Sequence, residues 1–297
     1  MDNTLSFDRN VWWPSPAKLN LFLHINGRYP NGYHQLQSVF QLLDFGDELA
    51  FELNPEGTIH LGTPIDGVPH DDNLIVKAAM LLRKEIITRQ RQQTSSPLGC
   101  NISLKKRLPM GGGIGGGSSN AATTLVVLNQ LWQGNLSLTE LAGLGLSLGA
   151  DVPIFVHGFT AFAEGVGEVL EPFYIEPTTY LVVFPDCHVS TQQIFTHPNL
   201  PRNTPKIAAA DYHFNNTHND CQQLVSELYP NVANTLRWLL EYAPSRMTGT
   251  GSCVFSTFHD PSEAERVQKL LPTGSISFIA KGVNRSPLHQ QLTTFSN

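Results

Sequence analysis

The chain has 297 residues, 41% of them hydrophobic and 15% charged, with a net charge of −6. Its length suits one large or two medium domains, and the acidic balance argues against nucleic acid or an anionic membrane as a general partner. No apolar run reaches the roughly 18 residues of a membrane helix, residues 1–10 lack the apolar core of a signal peptide, and the four cysteines form no C-x-x-C pair, so a soluble cytoplasmic protein with free thiols is expected.

Taken in order, Leu19, Leu21, Leu23 and Ile25 alternate as in a half-buried strand, with Lys18 and Asn20 together on its other face. Asn26-Gly27 and Pro30-Asn31-Gly32 signal turns, and the runs 36–43, 47–53 and 58–61 are strand-like. Asp71-Asp72-Asn73 caps a helix opening at Leu74. A polar loop at 94–99 precedes a strand at 101–104. Ser137 with Glu140 forms a capping box for a helix through Leu148, which Gly149 stops; Asp151 then lies in a turn before Pro153 and a short apolar run. Strands are expected at 159–164, 180–184, 253–258 and 276–280, with a turn at 165–167. Helices are expected at 231–242 and 261–271, an irregular loop at 197–214, and a second small-residue loop at 245–252. Strands and helices that follow one another in this way indicate an α+β fold.

One stretch organises the rest: Pro109-Met110-Gly111-Gly112-Gly113-Ile114-Gly115-Gly116-Gly117-Ser118-Ser119-Asn120, running straight into the helical spacing of Ala121, Leu125, Leu128 and Trp132. Glycine lets a backbone turn at positive φ and lie against a ligand. The free N–H groups and positive dipole of a helix start favour an anion, most often a phosphate. A flexible linker would seldom open directly into an amphipathic helix. No lysine follows the glycines, so the Walker loop is absent. Gly111-x-Gly113-x-x-Gly116 fits the dinucleotide pattern, but its flanking segments do not fit a βαβ unit.

Other residues are open to two readings. Lys18 beside Asn20 is a site candidate or a solvated lysine at a strand start. Asp151 is a turn or capping aspartate, or a carboxylate able to orient or deprotonate a hydroxyl. Tyr33 and His34, in a glycine-punctuated loop, are packing residues or a platform for a planar base.

Together, P-S-P-A-K-L-N-L at 14–21, the glycine stretch, G-A-D-V-P at 149–153 and M-T-G-T-G-S at 247–252 resemble the motifs of the GHMP kinase superfamily. Gly32-Tyr33-His34 and Pro16-Ala17-Lys18-Leu19-Asn20 resemble its branch acting on a cytidine-diphosphate-linked methylerythritol in non-mevalonate isoprenoid synthesis. The resemblance runs from Trp13 to Leu288. It implies a two-domain α+β fold, divided as residues 1–160 around the nucleotide and 161–297 around the substrate, with the active site in the cleft between. It implies that ATP phosphorylates the polyol's 2-hydroxyl, with Asp151 as catalytic base and Lys18 as its charged partner. It also implies that the glycine stretch holds the ATP phosphates, Asn73 and Lys106 meet the adenosine end, and Asn20, Tyr33, His34 and Phe195 meet the substrate. Mg²⁺ is expected with ATP; no metal ligand follows from the residues, and Ser119 is implied by the likeness alone. A non-catalytic nucleotide- or sugar-binding protein on the same fold is the alternative, and a dehydrogenase a more distant one.

Overall fold

The computed structural model describes residues 11–90 and 97–295. Residues 1–10, which bear on the signal-peptide expectation, and 94–96 of the polar loop lie outside them. The described chain runs β1 (Trp12–Arg28), β2 (His34–Asn54), β3 (Ile59–Leu61), α1 (Leu74–Gln90), β4 (Gly99–Lys105), α2 (Gly116–Leu131), α3 (Leu138–Leu146) and α4 (Val152–His157). It continues with β5 (Ala161–Glu164), β6 (Val169–Pro172), β7 (Thr179–Phe184), α5 (Thr191–Thr196), α6 (Gln222–Leu228) and α7 (Pro230–Leu240). The last elements are β8 (Ser245–Met247), β9 (Val254–Phe258), α8 (Pro261–Lys269), β10 (Ile276–Val283) and α9 (Pro287–Phe295). Among the described residues no helix is long and apolar enough to cross a membrane.

The strands form one mixed sheet in the order β3-β4-β2-β10-β7-β9-β8, with β1 and β5 also paired to β2 and β6 paired to β5. β1 and β2 pair antiparallel from Trp12 opposite Ala50 to Arg28 opposite His34. β10 joins the two ends, meeting β2 at Leu42 and Leu43 and β7 along its length. One apolar core, including Leu82, Ile102, Leu125 and Phe155, lies under α1 to α4. A second, including Leu181, Val225, Leu239 and Val254, lies under α6 to α8. A third, including Leu19, Phe22, Tyr180 and Phe255, fills the space between.

Several local expectations change. The strand around Lys18 is buried on both faces, because α2 packs against β1 and Leu19 and Leu21 join the third core. Asn26 and Gly27 continue β1 instead of turning: Gly27 pairs with Gln35 of β2, and Asn26 takes up a shift of register before it. The runs 36–43 and 47–53 merge into one strand; Gly46 allows this, since a Cβ there would lie 2.0 Å from the Ser15 carbonyl oxygen. The apolar run after Asp151 is a short helix, opened by Pro153 and stopped by Gly158 at φ +70. The first residues of 245–252 form β8, paired to β9. The capping box at Ser137 and Glu140, the Asn73 cap on Ile75 N and the Asp260 cap on Ser262 N all form.

Candidate active site

β4 delivers the chain into the glycine stretch, and a buried carboxylate sets where it arrives. Asp47 Oδ1 accepts from the backbone N–H groups of Arg107 and Leu108, both at 2.8 Å, while Oδ2 accepts from Lys106 Nζ at 2.8 Å. Lys106 Nζ also donates to Leu108 O at 2.7 Å. Gly111, Gly113 and Gly115 follow with φ of +72, +73 and +75, a region open to glycine at little cost. Gly115 is the N-cap of α2, so the first backbone N–H groups of that helix have no acceptor within it. A cavity lies in front, lined by Asn73, Lys106, Pro109, Met110, the glycines, Ile114, Ser118 and Asn120.

Much of the demand for glycine comes from behind the loop. A Cβ on Gly113 would sit 2.7 Å from Gly251 O and 2.8 Å from Thr248 O, and one on Gly115 would sit 2.7 Å from the Phe155 ring. The M-T-G-T-G-S segment is therefore the surface on which the glycine loop rests. Ser119 is fully buried, with its Oγ 2.9 Å from Ser15 Oγ, and lines neither this cavity nor the next. Asn120 accepts from the same Ser15 hydroxyl at 2.6 Å.

Beside Gly113, at the border of this cavity, stands Lys18, only 3% exposed. Its three donors have three acceptors: Asn20 Oδ1 at 2.6 Å, Gly113 O at 3.2 Å and Asp151 Oδ2 at 3.2 Å. Asn20 is oriented in turn by Ser38 Oγ, which its amide reaches at 2.8 Å. Asp151 occupies the N-cap position of α4 but makes no capping hydrogen bond; its carboxylate, 35% exposed, turns to Lys18 and the cleft instead. A second cavity holds Lys18, Asn20 and Asp151 and shares Gly113 and Ser118 with the first.

That second cavity opens into a third through Leu36, Ala150, Val166, Thr191 and Phe195, which line both. Tyr33 and His34 line the third. Tyr33 is 64% exposed, whereas His34 is buried and stacks on Phe195 with ring centroids 4.9 Å apart. Burial, then the charges of Arg202 and Arg28, push the His34 imidazole below its usual value. The structure thus brings the predicted residues to one cleft in three connected sections, except Ser119, which lies behind it. Sequence reasoning passed over Asp47, Ser38, Thr191, Thr250 and Arg202. Asp47 carries a signal: it shares a strand face with Leu49, and an acid on an apolar face needs a partner. The Thr191–Thr250 hydroxyl contact, 2.8 Å across 59 residues, carries none.

The GHMP kinases N terminal domain family matches residues 73–159 and the GHMP kinases C terminal family residues 203–272. A Pseudoalteromonas atlantica protein named 4-diphosphocytidyl-2-C-methyl-D-erythritol kinase is 65% identical over 292 residues, covering 98% of each chain. A protein of the same name from Shewanella loihica is 54% identical, covering 97% of this chain and 99% of its own. A crystal structure of 4-(cytidine 5'-diphospho)-2C-methyl-D-erythritol kinase superposes with a TM-score of 0.74 at 29% identity, over 92% of this chain and 100% of that one. The Methanococcus jannaschii mevalonate kinase, at 15% identity over 92% of this chain and 98% of its own, shares the fold with a TM-score of 0.64.

Proposed function

The chain belongs to the GHMP kinases, and from that premise we propose that it transfers the γ-phosphoryl group of ATP to the 2-hydroxyl of 4-diphosphocytidyl-2-C-methyl-D-erythritol, a step toward isoprenoid precursors. The observation that carries the reading is the Lys18–Asp151 pair, 3.2 Å apart where the glycine-lined cavity meets the one leading to Tyr33 and His34. A site of simple binding has no need of a carboxylate held by a buried ammonium at such a junction, and the comparisons give the non-catalytic alternative no support.

Phosphoryl transfer needs the donor and acceptor positioned in line and the charge of the moving group offset. The α2 N-terminus and the glycine backbone would hold the phosphates, with Asn73 and Lys106 toward the adenosine. Asp151 would orient the 2-hydroxyl and take its proton as that oxygen bonds to the γ-phosphorus and the bond to ADP breaks. Lys18 touches both partners, through Gly113 O and Asp151, and so ties the loop to the acceptor carboxylate. Asn20 would meet the polyol end, and Tyr33, His34 and Phe195 the cytosine.

Mg²⁺ fits these donors only as an ion brought in on the nucleotide. The described residues hold no cluster of three His, Cys, Asp or Glu side chains, while Ser118 and Asp151 offer oxygens at the junction. An ion that keeps most of its ligands from phosphates and water suits such a site, and bound there it would offset phosphate charge. Buried Ser119 is poorly placed to reach it. We also keep residues 1–160 and 161–297 as the nucleotide and substrate parts, with Asn20, Tyr33, His34 and Asp151 of the first part reaching across to the substrate, and a cytoplasmic setting, in keeping with four free cysteines.

Phosphorus NMR on protein incubated with ATP and the diphosphocytidyl polyol tests the reading. The expected result is one new phosphomonoester per ADP, and no turnover without the polyol. ADP release that ignores the polyol would count against it.

A further inference from the structure

Arg202 lies in the irregular segment beyond α5, yet its guanidinium reaches back across the pocket wall. Its Nε–H donates to His34 Nε2 at 3.0 Å. Its terminal nitrogens donate to the carbonyls of Leu200 at 2.9 Å, Phe195 at 3.0 Å and His197 at 2.7 Å. One side chain therefore ties the start of β2 to the end of α5: the same group holds the His34 ring and the backbone of Phe195, whose ring stacks on it.

The donor direction of that first bond has a chemical result. A guanidinium nitrogen can only donate, so His34 Nε2 must present its lone pair. A neutral imidazole then carries its one proton on Nδ1. Among the described residues Nδ1 has no hydrogen-bond partner, and it is not sealed from solvent. The ring lines the pocket beside Tyr33 and Phe195. Arg202 and Arg28 are the charged groups that act on it, and both disfavour a second proton.

We infer that Arg202 is a positioning residue that determines base specificity: by holding His34 in the Nδ1–H form it presents a fixed donor, which suits a pyrimidine whose ring nitrogen N3 accepts (cytosine) and opposes one whose N3 donates (uracil). The inference rests on the base occupying this pocket. Two facing N–H groups leave both unsatisfied, and a site built around one hydrogen bond rejects a ligand that cannot make it more strongly than an apolar pocket does.

The experiment has two readouts. Nitrogen-15 NMR of the His34 ring in ligand-free protein near pH 8 reports the tautomer. The wild type is expected to show a single Nδ1–H form, and Arg202→Ala a mixture in which Nε2–H is populated. Steady-state kinetics with the diphosphocytidyl polyol and its diphosphouridyl counterpart report specificity. Arg202→Ala is expected to raise the cytidyl KM about ten- to a hundredfold and to lower the cytidyl-over-uridyl preference about tenfold or more, with the KM for ATP nearly unchanged. Arg202→Lys, which keeps one donor and the charge, is expected to fall between and serves if the alanine variant does not fold. A His34 tautomer or a base preference that stays as in the wild type in both variants overturns the inference. A wild type with no cytidyl preference, whose cytidyl KM is also unmoved by His34→Ala, overturns the placement of the base and this inference with it.

Discussion

The two ends of the cleft are held in opposite ways. At the glycine end the backbone itself is the wall, fixed from behind by close packing: Gly113 rests on the carbonyls of Thr248 and Gly251, Gly115 on Phe155, and Asp47 pins the incoming strand. At the aromatic end the wall is made of side chains, with Tyr33 largely in solvent and His34 and Phe195 joined through one guanidinium. A diphosphate looks alike in many ligands, so a rigid backbone cradle suffices for it. A base must be told from its relatives, and that takes side chains whose donors and acceptors are set individually. Lys18 and Asp151 stand where the two designs meet.

If the junction is the reacting centre, Asp151→Asn has the largest effect: kcat falls about 10²–10⁴-fold, the scale of general base catalysis, while calorimetric affinity for ATP stays close to wild type. Near-normal turnover would remove the carboxylate from the chemistry. Next comes the glycine end. Gly113→Val places a Cβ against two carbonyl oxygens at φ +73, so thermal melts should show a loss of about 1–3 kcal/mol and kinetics a raised KM for ATP. A stable variant with unchanged ATP binding would show that the loop's shape is not what holds the phosphates.

The aromatic end should separate binding from stability. Tyr33→Ala removes an exposed ring, and loss of one base stack worth about 1–3 kcal/mol raises the cytidyl KM roughly 5- to 150-fold with little change in Tm. Phe195→Ala should do the same but also lower Tm, because this ring packs on His34 and the second core. Equal effects of the two on Tm would contradict the contrast drawn between them.

The smallest effect concerns pH. His24, His34, His157 and His289 all have their proton affinity lowered, first of all by burial. The unfolded chain then takes up protons before the folded one does. Their share of the stability is complete above the ordinary histidine value of 6.5 and is lost as pH falls below it. Urea midpoints should be flat from pH 8 to 7 and decline from pH 6.5 to 5.5. A rise over that interval would mean these rings gain a partner on folding.

How much of this was readable beforehand follows the same division. The glycine loop, the α2 start, the Ser137 box and the Lys18–Asn20 face depend on residues a few positions apart, so local pattern exposes them. Arg202 and His34 are 168 residues apart and meet because the segment after α5 crosses back to β1 and β2, where Thr204 N bonds Ile25 O and Ile207 N bonds the Gln37 side chain. No spacing rule encodes that meeting. The helical state of 152–157 was hidden because the short apolar run from Val152 to Val156 reads equally well as a strand. The turn expected at Asn26-Gly27 failed because pairing with β2 outweighs a dipeptide preference. The reason for Gly113 was half visible: its freedom could be read locally, but the carbonyls behind it, from 248 and 251, could not.

On the proposed reading, Lys18 and Asp151 act as one unit joining the two ends. The direct measurement is a double-mutant cycle on kcat, with Lys18→Met, Asp151→Asn and the pair, at saturating ATP and diphosphocytidyl polyol. Residues that act as a unit are strongly non-additive, so the double variant is predicted to lie within about threefold of the slower single variant. If the two losses instead multiply, the ammonium and the carboxylate serve separate steps, and the junction is not the reacting centre described here.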